Sequence, residues 1–256
     1  MNPTPDRQPD VADDFRGPEL DPELWIPHYL PQWTTPDRSA ARYDLTPDGL
    51  RLRIDADQPH WREEDAPMRV SNLQTATFSG PLGSQRGTHL HRPDGLEVRT
   101  VVPDRSLWAP AAGRVEVDAL AATAPGAMLA VWLVGVESDR PEDSGEICVF
   151  EIDAETVSSD GCRARIGVKA HHDPRLHTDM AEVDVPGDAT VPRTWGVTWD
   201  AAGVRVDVDG VPLRTVEQAL DYPVQLMISL IEVAPVAEPG RYPLTADIRA
   251  VRGWGR

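Results

Sequence analysis

Short apolar runs alternate with polar residues along this chain and are broken repeatedly by Gly, Pro, Asp and Ser. In 113–120, Val115, Val117 and Ala119 fall on one face and Glu116 and Asp118 on the other, the period-two signature of a half-buried strand. Residues 194–199 repeat it with Trp195, Val197 and Trp199. Runs 204–208 and 211–215 flank Asp209-Gly210, the strongest hairpin signal in the chain. A second hairpin is predicted over 42–54, where Tyr43 and Leu45 precede a Pro47-Asp48-Gly49 turn and Leu50, Leu52 and Ile54 follow it. Residues 73–78, 96–102, 225–233 and 246–254 read as further strands, and 162–169 pairs back after the Ser158-Ser159-Asp160-Gly161 turn. The unbroken apolar run 128–136 fits a central strand covered on both faces.

No stretch carries helical periodicity. Twelve or more strands, without a linker or an internal repeat, predict an all-β chain folded as one large antiparallel sandwich. Residues 1–12 read as a disordered arm. The folded domain then spans 13–256, with Phe15, Leu20, Leu24 and Trp25 as its first anchors. Loops are expected at 55–70, 80–95 and 170–188, and such long loops often carry function.

The stretch 144–153 breaks the pattern, because Glu146 and Glu151 stand in a strand that otherwise reads as buried. Five apart, they would point to opposite faces of a regular strand. A one-residue bulge around Val149-Phe150 puts Glu146, Cys148 and Glu151 on one face. Two carboxylates aimed at a common point are the equipment of a glycosidase.

Composition narrows the class. With 256 residues, 40% of them hydrophobic, the chain can bury a full core. A net charge of −17 argues against nucleic acid or an anionic membrane as partner and leaves room for a neutral or cationic ligand. Lys169 is the one lysine; the other basic residues are arginine. Cys148 and Cys162 form no disulfide framework and are expected as free thiols. No leader or membrane-spanning segment is visible, which predicts a cytoplasmic monomer, or a secreted one if the sequence is truncated.

The Glu strand resembles the Glu-x-Asp-x-x-Glu signature of glycoside hydrolase family 16, the laminarinase and lichenase group, with Cys148 in the Asp position. Collinear segments share the resemblance. Asp13-Asp14-Phe15 through Trp25 is similar to the family's opening, Gly113-Arg114-Val115-Glu116-Val117 to its Gly-x-x-Glu-x-Arg strand, and Ala130-Val131-Trp132-Leu133 to its Ala-Phe-Trp-Leu strand. Thr194 to Trp199 with Asp209-Gly210, Tyr222 to Leu226, and Ala250 to Trp254 resemble the later strands. The resemblance implies a β-jelly roll of two curved antiparallel sheets with a concave substrate groove. It also implies a retaining endo-acting hydrolase of β-linked glucan or a related neutral polysaccharide. Glu146 would be the nucleophile and Glu151 the acid/base, with Cys148 between them expected to stay a neutral thiol. A carbohydrate-binding lectin and a transglycosylase remain open as alternatives.

The groove is expected to offer Trp132 for stacking on sugar and Ser229, Gln225 and Asp153 for hydrogen bonds. Trp195 and Trp199 read as core, Trp61 and Trp108 as rim residues, and Glu232 as a solvated or paired strand end. Arg193 stands where the family has a histidine. Arg249 stands where it often has a calcium-binding aspartate, so no metal or other cofactor is expected. The spacing of His171, His172, Asp173 and His177 matches no standard zinc pattern, and these residues, with His89 and His91, are expected in solvated loops.

Overall fold

A computed structural model of the chain describes residues 7–92, 94–234 and 241–255. Its strands are β1 (Val11–Asp13), β2 (Arg42–Thr46), β3 (Gly49–Ile54), β4 (Arg69–Gln74), β5 (Ala76–Thr77), β6 (Arg105–Ser106), β7 (Gly113–Leu120) and β8 (Ala127–Gly135). They continue as β9 (Glu146–Asp153), β10 (Gly161–Lys169), β11 (Asp179–Pro186), β12 (Arg193–Asp200), β13 (Gly203–Val208), β14 (Val211–Val216), β15 (Val224–Glu232) and β16 (Leu244–Gly255). One four-residue helix, Pro36–Ser39, accompanies them. Both predicted hairpins form, and Asp209 and Gly210 sit at φ 51° and 75°, as their turn requires.

Two antiparallel sheets face each other as a jelly-roll sandwich. One has eight strands, ordered β14-β13-β12-β7-β16-β3-β2 with β1 added alongside β16; the other runs β11-β10-β9-β8-β15-β4. The main core lies between them. Val115 and Val117 of β7 and the buried Trp195, Val197 and Trp199 of β12 meet Leu129, Val131 and Leu133 of β8 and Ile147, Phe150 and Ile152 of β9. Burying a side chain of this size is worth roughly 1.5–3 kcal/mol.

The six-stranded sheet is covered on its other face as well. A second cluster sets Met128, Ala130, Trp132 and Val134 of β8 and Met227 and Ile231 of β15 against Tyr29, Leu30, Trp33, Trp61, Leu96 and Val98. Every residue of β8 and β15 is therefore buried, as the unbroken run 128–136 predicts for β8. The chain segments around 29–33, 61 and 96–98 fold over the β8–β15–β4 side of this face, and on its β9–β10 side Arg165 and Lys169 remain partly exposed.

Several expectations are corrected. Val11–Asp13 pairs with β16, and Arg7 bonds Asp10 and the Gly255 carbonyl, so the described part of the 1–12 arm is structured. Residues 96–102 form no strand; they cross the sheet as a loop that buries Leu96 and Val98. Part of the expected 170–188 loop is strand β11, paired along β10. The C-terminal end of run 225–233 stops at Glu232, and 235–240 lies outside the described residues. Among the described residues no helix is long and apolar enough to cross a membrane.

Candidate active site

The bulge on β9 lies where the sequence places it. Phe150 pairs with Val131 and Cys148 with Trp132, so one extra residue, Val149, is accommodated between them. The same shift recurs against β10, where Arg165 faces Glu151 and Gly167 faces Cys148. Val149 and Phe150 both join the inter-sheet core, whereas Glu146, Cys148 and Glu151 share the opposite face. Gly145, just before Glu146, has no room for a side chain: a Cβ there would lie 2.4 Å from Tyr222 Oη and 2.5 Å from Leu176 Cδ1. Tyr222 in turn accepts the Gly145 N–H and donates to Asp173, fixing where the strand begins.

The strand opposite supplies the counter-charges. On β10, Arg165 and Lys169 stand directly across from Glu151 and Glu146, with Gly167 between them. Opposite charges at facing positions stabilise a sheet. Lys169 Nζ lies 2.9 Å from Glu146 Oε1, an ion pair off the hydrogen-bonding direction, and donates to Glu151 Oε1 at 2.6 Å. Arg165 donates to Glu151 Oε2 at 2.9 Å and also pairs with Asp153. Trp132 Nε1 donates to Glu151 Oε1 at 3.1 Å, and Lys169 lies over the Trp132 ring. The other Glu146 oxygen, Oε2, is 2.8 Å from His171 Nε2 and 3.7 Å from His89 Nε2.

These contacts set the proton affinities. Burial pushes the Glu146 carboxyl upward, but the His171 bond and the charge of Lys169, with His89 beyond, overcome it and hold Glu146 below the usual carboxylate range. Burial lowers Lys169, and Glu146 and Glu151 more than offset that, so the ammonium is held above its ordinary value. The Cys148 thiol is fully buried, donates to the Arg165 carbonyl at 3.2 Å, and is pushed well above its usual value by burial and the two glutamates. It is the neutral thiol the sequence predicts.

The expected sugar contacts divide. Trp132 lies on the same face as Glu146 and Glu151, but it is buried and its N–H is used on Glu151. Asp153 stays half-buried and linked to Glu151 through Arg165. Ser229 and Gln225 do share a face, yet both are fully buried: Ser229 donates to Asn72 and Gln225 accepts the Ala76 N–H. Their assignment as substrate contacts is overturned, because the chain folds back over the β15 side of the sheet. Trp61 is buried under the same cover, and Trp108 packs edge-on to Trp199 in the main core, so neither rims a groove. Trp195 and Trp199 are core, and Glu232 is paired with Arg69 and Tyr242 at its strand end.

The expectation of solvated loop residues holds for His172 and His177, which are exposed, and fails for His89, His171 and Asp173. His89, on the 80–95 loop, is buried, and His171, following β10, bonds Glu146. His91 lies against the His89 ring, and His172 Nε2 meets the Leu90 carbonyl. Spacing gave no hint, because two loops far apart in sequence bring these residues together. Arg165 and Lys169 carried a readable signal: they share one face of a strand expected to pair with the Glu strand. Elsewhere, a cavity on the outer face of the eight-stranded sheet holds Glu116 and Asp207, each tied to Arg114, and offers no free carboxylate pair.

The sequence matches no protein-family model and no curated protein. Solved structures do match. A GlcNAcα1-4Gal-releasing endo-β-galactosidase from Clostridium perfringens superposes over 99% of this chain with a TM-score of 0.83 at 21% identity, and this chain covers 64% of its length. A non-specific endo-β-1,3(4)-glucanase from family GH16 covers 100% of this chain and is itself covered to 97%, with a TM-score of 0.67 at 15% identity. The laminarinase catalytic domain from Thermotoga maritima gives a TM-score of 0.63 at 14% identity, over 97% of this chain and 98% of that one. The fold is that of glycoside hydrolase family 16.

Proposed function

We propose that this chain is a retaining, endo-acting glycoside hydrolase in which Glu146 is the nucleophile and Glu151 the general acid/base. One observation carries the reading: a single bulged strand presents both carboxylates on one face, and one oxygen of each, together with Cys148 Sγ, lie within 4.8 Å of one another. Retaining glycosidases need a carboxyl separation of about 5–5.5 Å, close enough for direct attack on the anomeric carbon. Inverting enzymes need room for a water between the two groups, roughly 6.5–9.5 Å.

The electrostatics fit the role of Glu146. Glu146, held ionised by His171 and Lys169, is ready to attack the anomeric carbon. As the bond to the leaving sugar breaks, Glu151 gives its proton to the departing oxygen, and a glycosyl ester forms on Glu146. In the second step Glu151 takes a proton from water, which attacks the ester and frees Glu146 with the original anomeric configuration. Lys169 and Arg165 face Glu151 throughout and stabilise it whenever it is charged.

For the substrate we favour a β-linked glycan containing galactose. The endo-β-galactosidase superposes at a TM-score of 0.83, against 0.67 and 0.63 for the two glucanases. Reducing-end release from galactose-containing glycans, laminarin and lichenan, with Glu146→Gln as control and the anomer of the first product followed by NMR, tests the proposal. Product of retained configuration, absent in the control, is expected. Inverted product overturns the mechanism, and binding without product on every glycan favours a lectin.

A further inference from the structure

Four of the seven histidines gather at one end of the acid pair, on two loops that contribute nothing to the sheet. His89 and His171 both sit in the left-handed region, at φ 58° and 47°, a conformation uncommon for a residue with a side chain. Strained backbone of this kind persists where the surroundings hold it, often around a site that binds something. The two rings meet edge to face with centroids 4.9 Å apart, and both turn a nitrogen toward Glu146.

The Glu146 carboxylate is divided between two kinds of neighbour. Oε1 faces Lys169; Oε2 faces the two imidazoles. His89 is the unspent group. Its Nδ1 is buried without a hydrogen-bond partner, and its Nε2 stands 3.7 Å from Oε2, beyond hydrogen-bond reach. Nε2, turned toward Glu146 but too far away to bond it, is the nitrogen placed to take up a ligand between the two.

We infer that His89, His171 and Glu146 form a binding site for a divalent cation of the zinc type, seated on the Oε2 side of the carboxylate. One donor atom from each lies within 4.8 Å of the other two. Around tetrahedral zinc, with bonds of about 2.0–2.1 Å, such atoms stand about 3.3 Å apart, between the 2.8 and 3.7 Å seen here. Two imidazoles and one carboxylate suit zinc and leave a fourth position for water. The strand fixes Glu146, and the two loops carry the histidines that would close on the ion. Lys169 touches the other oxygen and keeps Glu151 as its partner. A cation on Oε2 would hold the carboxylate that must attack sugar, so the loaded protein is silent as a glycosidase. That last step alone rests on the reading of Glu146 as nucleophile.

Calorimetric titration of the chelator-treated, full-length chain with zinc chloride tests the site. One zinc per chain is expected, with Mg²⁺ and Ca²⁺ giving no competition. Binding should weaken at least about tenfold in His171→Asn and in His89→Asn. Cobalt on the unaltered chain should give the visible absorption of a low-symmetry, nitrogen-ligated site, which needs no variant to fold. No zinc binding up to about 1 mM, a free energy near −4 kcal/mol, or binding indifferent to both histidine substitutions, overturns the proposal. Because binding is read without turnover, its failure leaves the glycosidase proposal standing, and an inactive protein that binds zinc leaves the site standing.

Discussion

Lys169 donates to Glu151 at 2.6 Å from the neighbouring strand, so the only lysine of the chain is spent on a candidate catalytic acid. It also lies 2.9 Å from Glu146, and its charge helps keep that carboxyl below the usual range. Lys169→Met should lower kcat/KM by about 10²–10³, the cost of losing one preorganised charge partner. The acid limb of the profile should move to higher pH, since Glu146 then protonates more easily. A group depressed on folding stabilises above its unfolded pKa and loses that contribution on acidification, so the variant should also lose less stability than the parent as pH falls. A pH–rate profile and a melting series check both; an unmoved acid limb counts against the assignment.

Glu151 should show its role through the leaving group. Glu151→Gln is expected to slow hydrolysis of a natural glycan by about 10²–10⁴, the span of general acid catalysis. An aryl glycoside whose phenol departs without a proton should react through its first step almost undiminished. Burst kinetics separate the two steps. Equal losses on both substrates would remove Glu151 from the acid role.

Cys148→Asp restores the residue usual in the family signature, yet it should harm this protein. The buried thiol donates to the Arg165 carbonyl, and one atom of each glutamate lies within 4.8 Å of the thiol sulfur. An ionised aspartate cannot donate that bond and adds a third negative charge. A loss of about 1–3 kcal/mol is expected, measured by denaturant unfolding. Cys148→Ser, which keeps a donor, should lose less.

Glu137 makes stability sensitive to pH near neutrality. It is buried, accepts the His89 N–H at 2.6 Å, and burial pushes it up to about 8. The folded chain thus holds a proton that the unfolded chain releases at about 4.5. Its stabilising contribution is complete below the unfolded value and is lost as pH rises toward 8. Glu137→Gln keeps an acceptor and cannot ionise. Its melting temperature should gain on the parent steadily between pH 5 and 8, by the equivalent of a few kcal/mol at most, on the order of 1.4 per unit. Parallel melting curves would show that Glu137 is not the group responsible.

The sandwich and the bulge were legible because both follow from period-two arithmetic on strands such as β7 and β12 and on the Glu stretch itself. The cover over the β15 side was not. Leu96 and Val98 alternate like strand residues, but they bury against Trp61 and Tyr29 from a loop, and alternation does not distinguish the two. That cover sealed Ser229 and Gln225 away from solvent. The histidines were missed for a related reason: His89 and His171 are far apart in sequence, and only the fold sets them on either side of Glu146.

The scarcity of lysine has a practical consequence. Twenty-four of the 25 basic residues are arginine, so Lys169 carries the only side-chain amine. It is partly accessible, and while both glutamates hold it, it stays protonated and a poor nucleophile. Amine-directed acylating reagents therefore meet one side-chain target beside the α-amine, and that target is held protonated by two carboxylates. A peptide map that finds the acyl group on Lys169 would report loosening of those two contacts, with no label engineered into the chain.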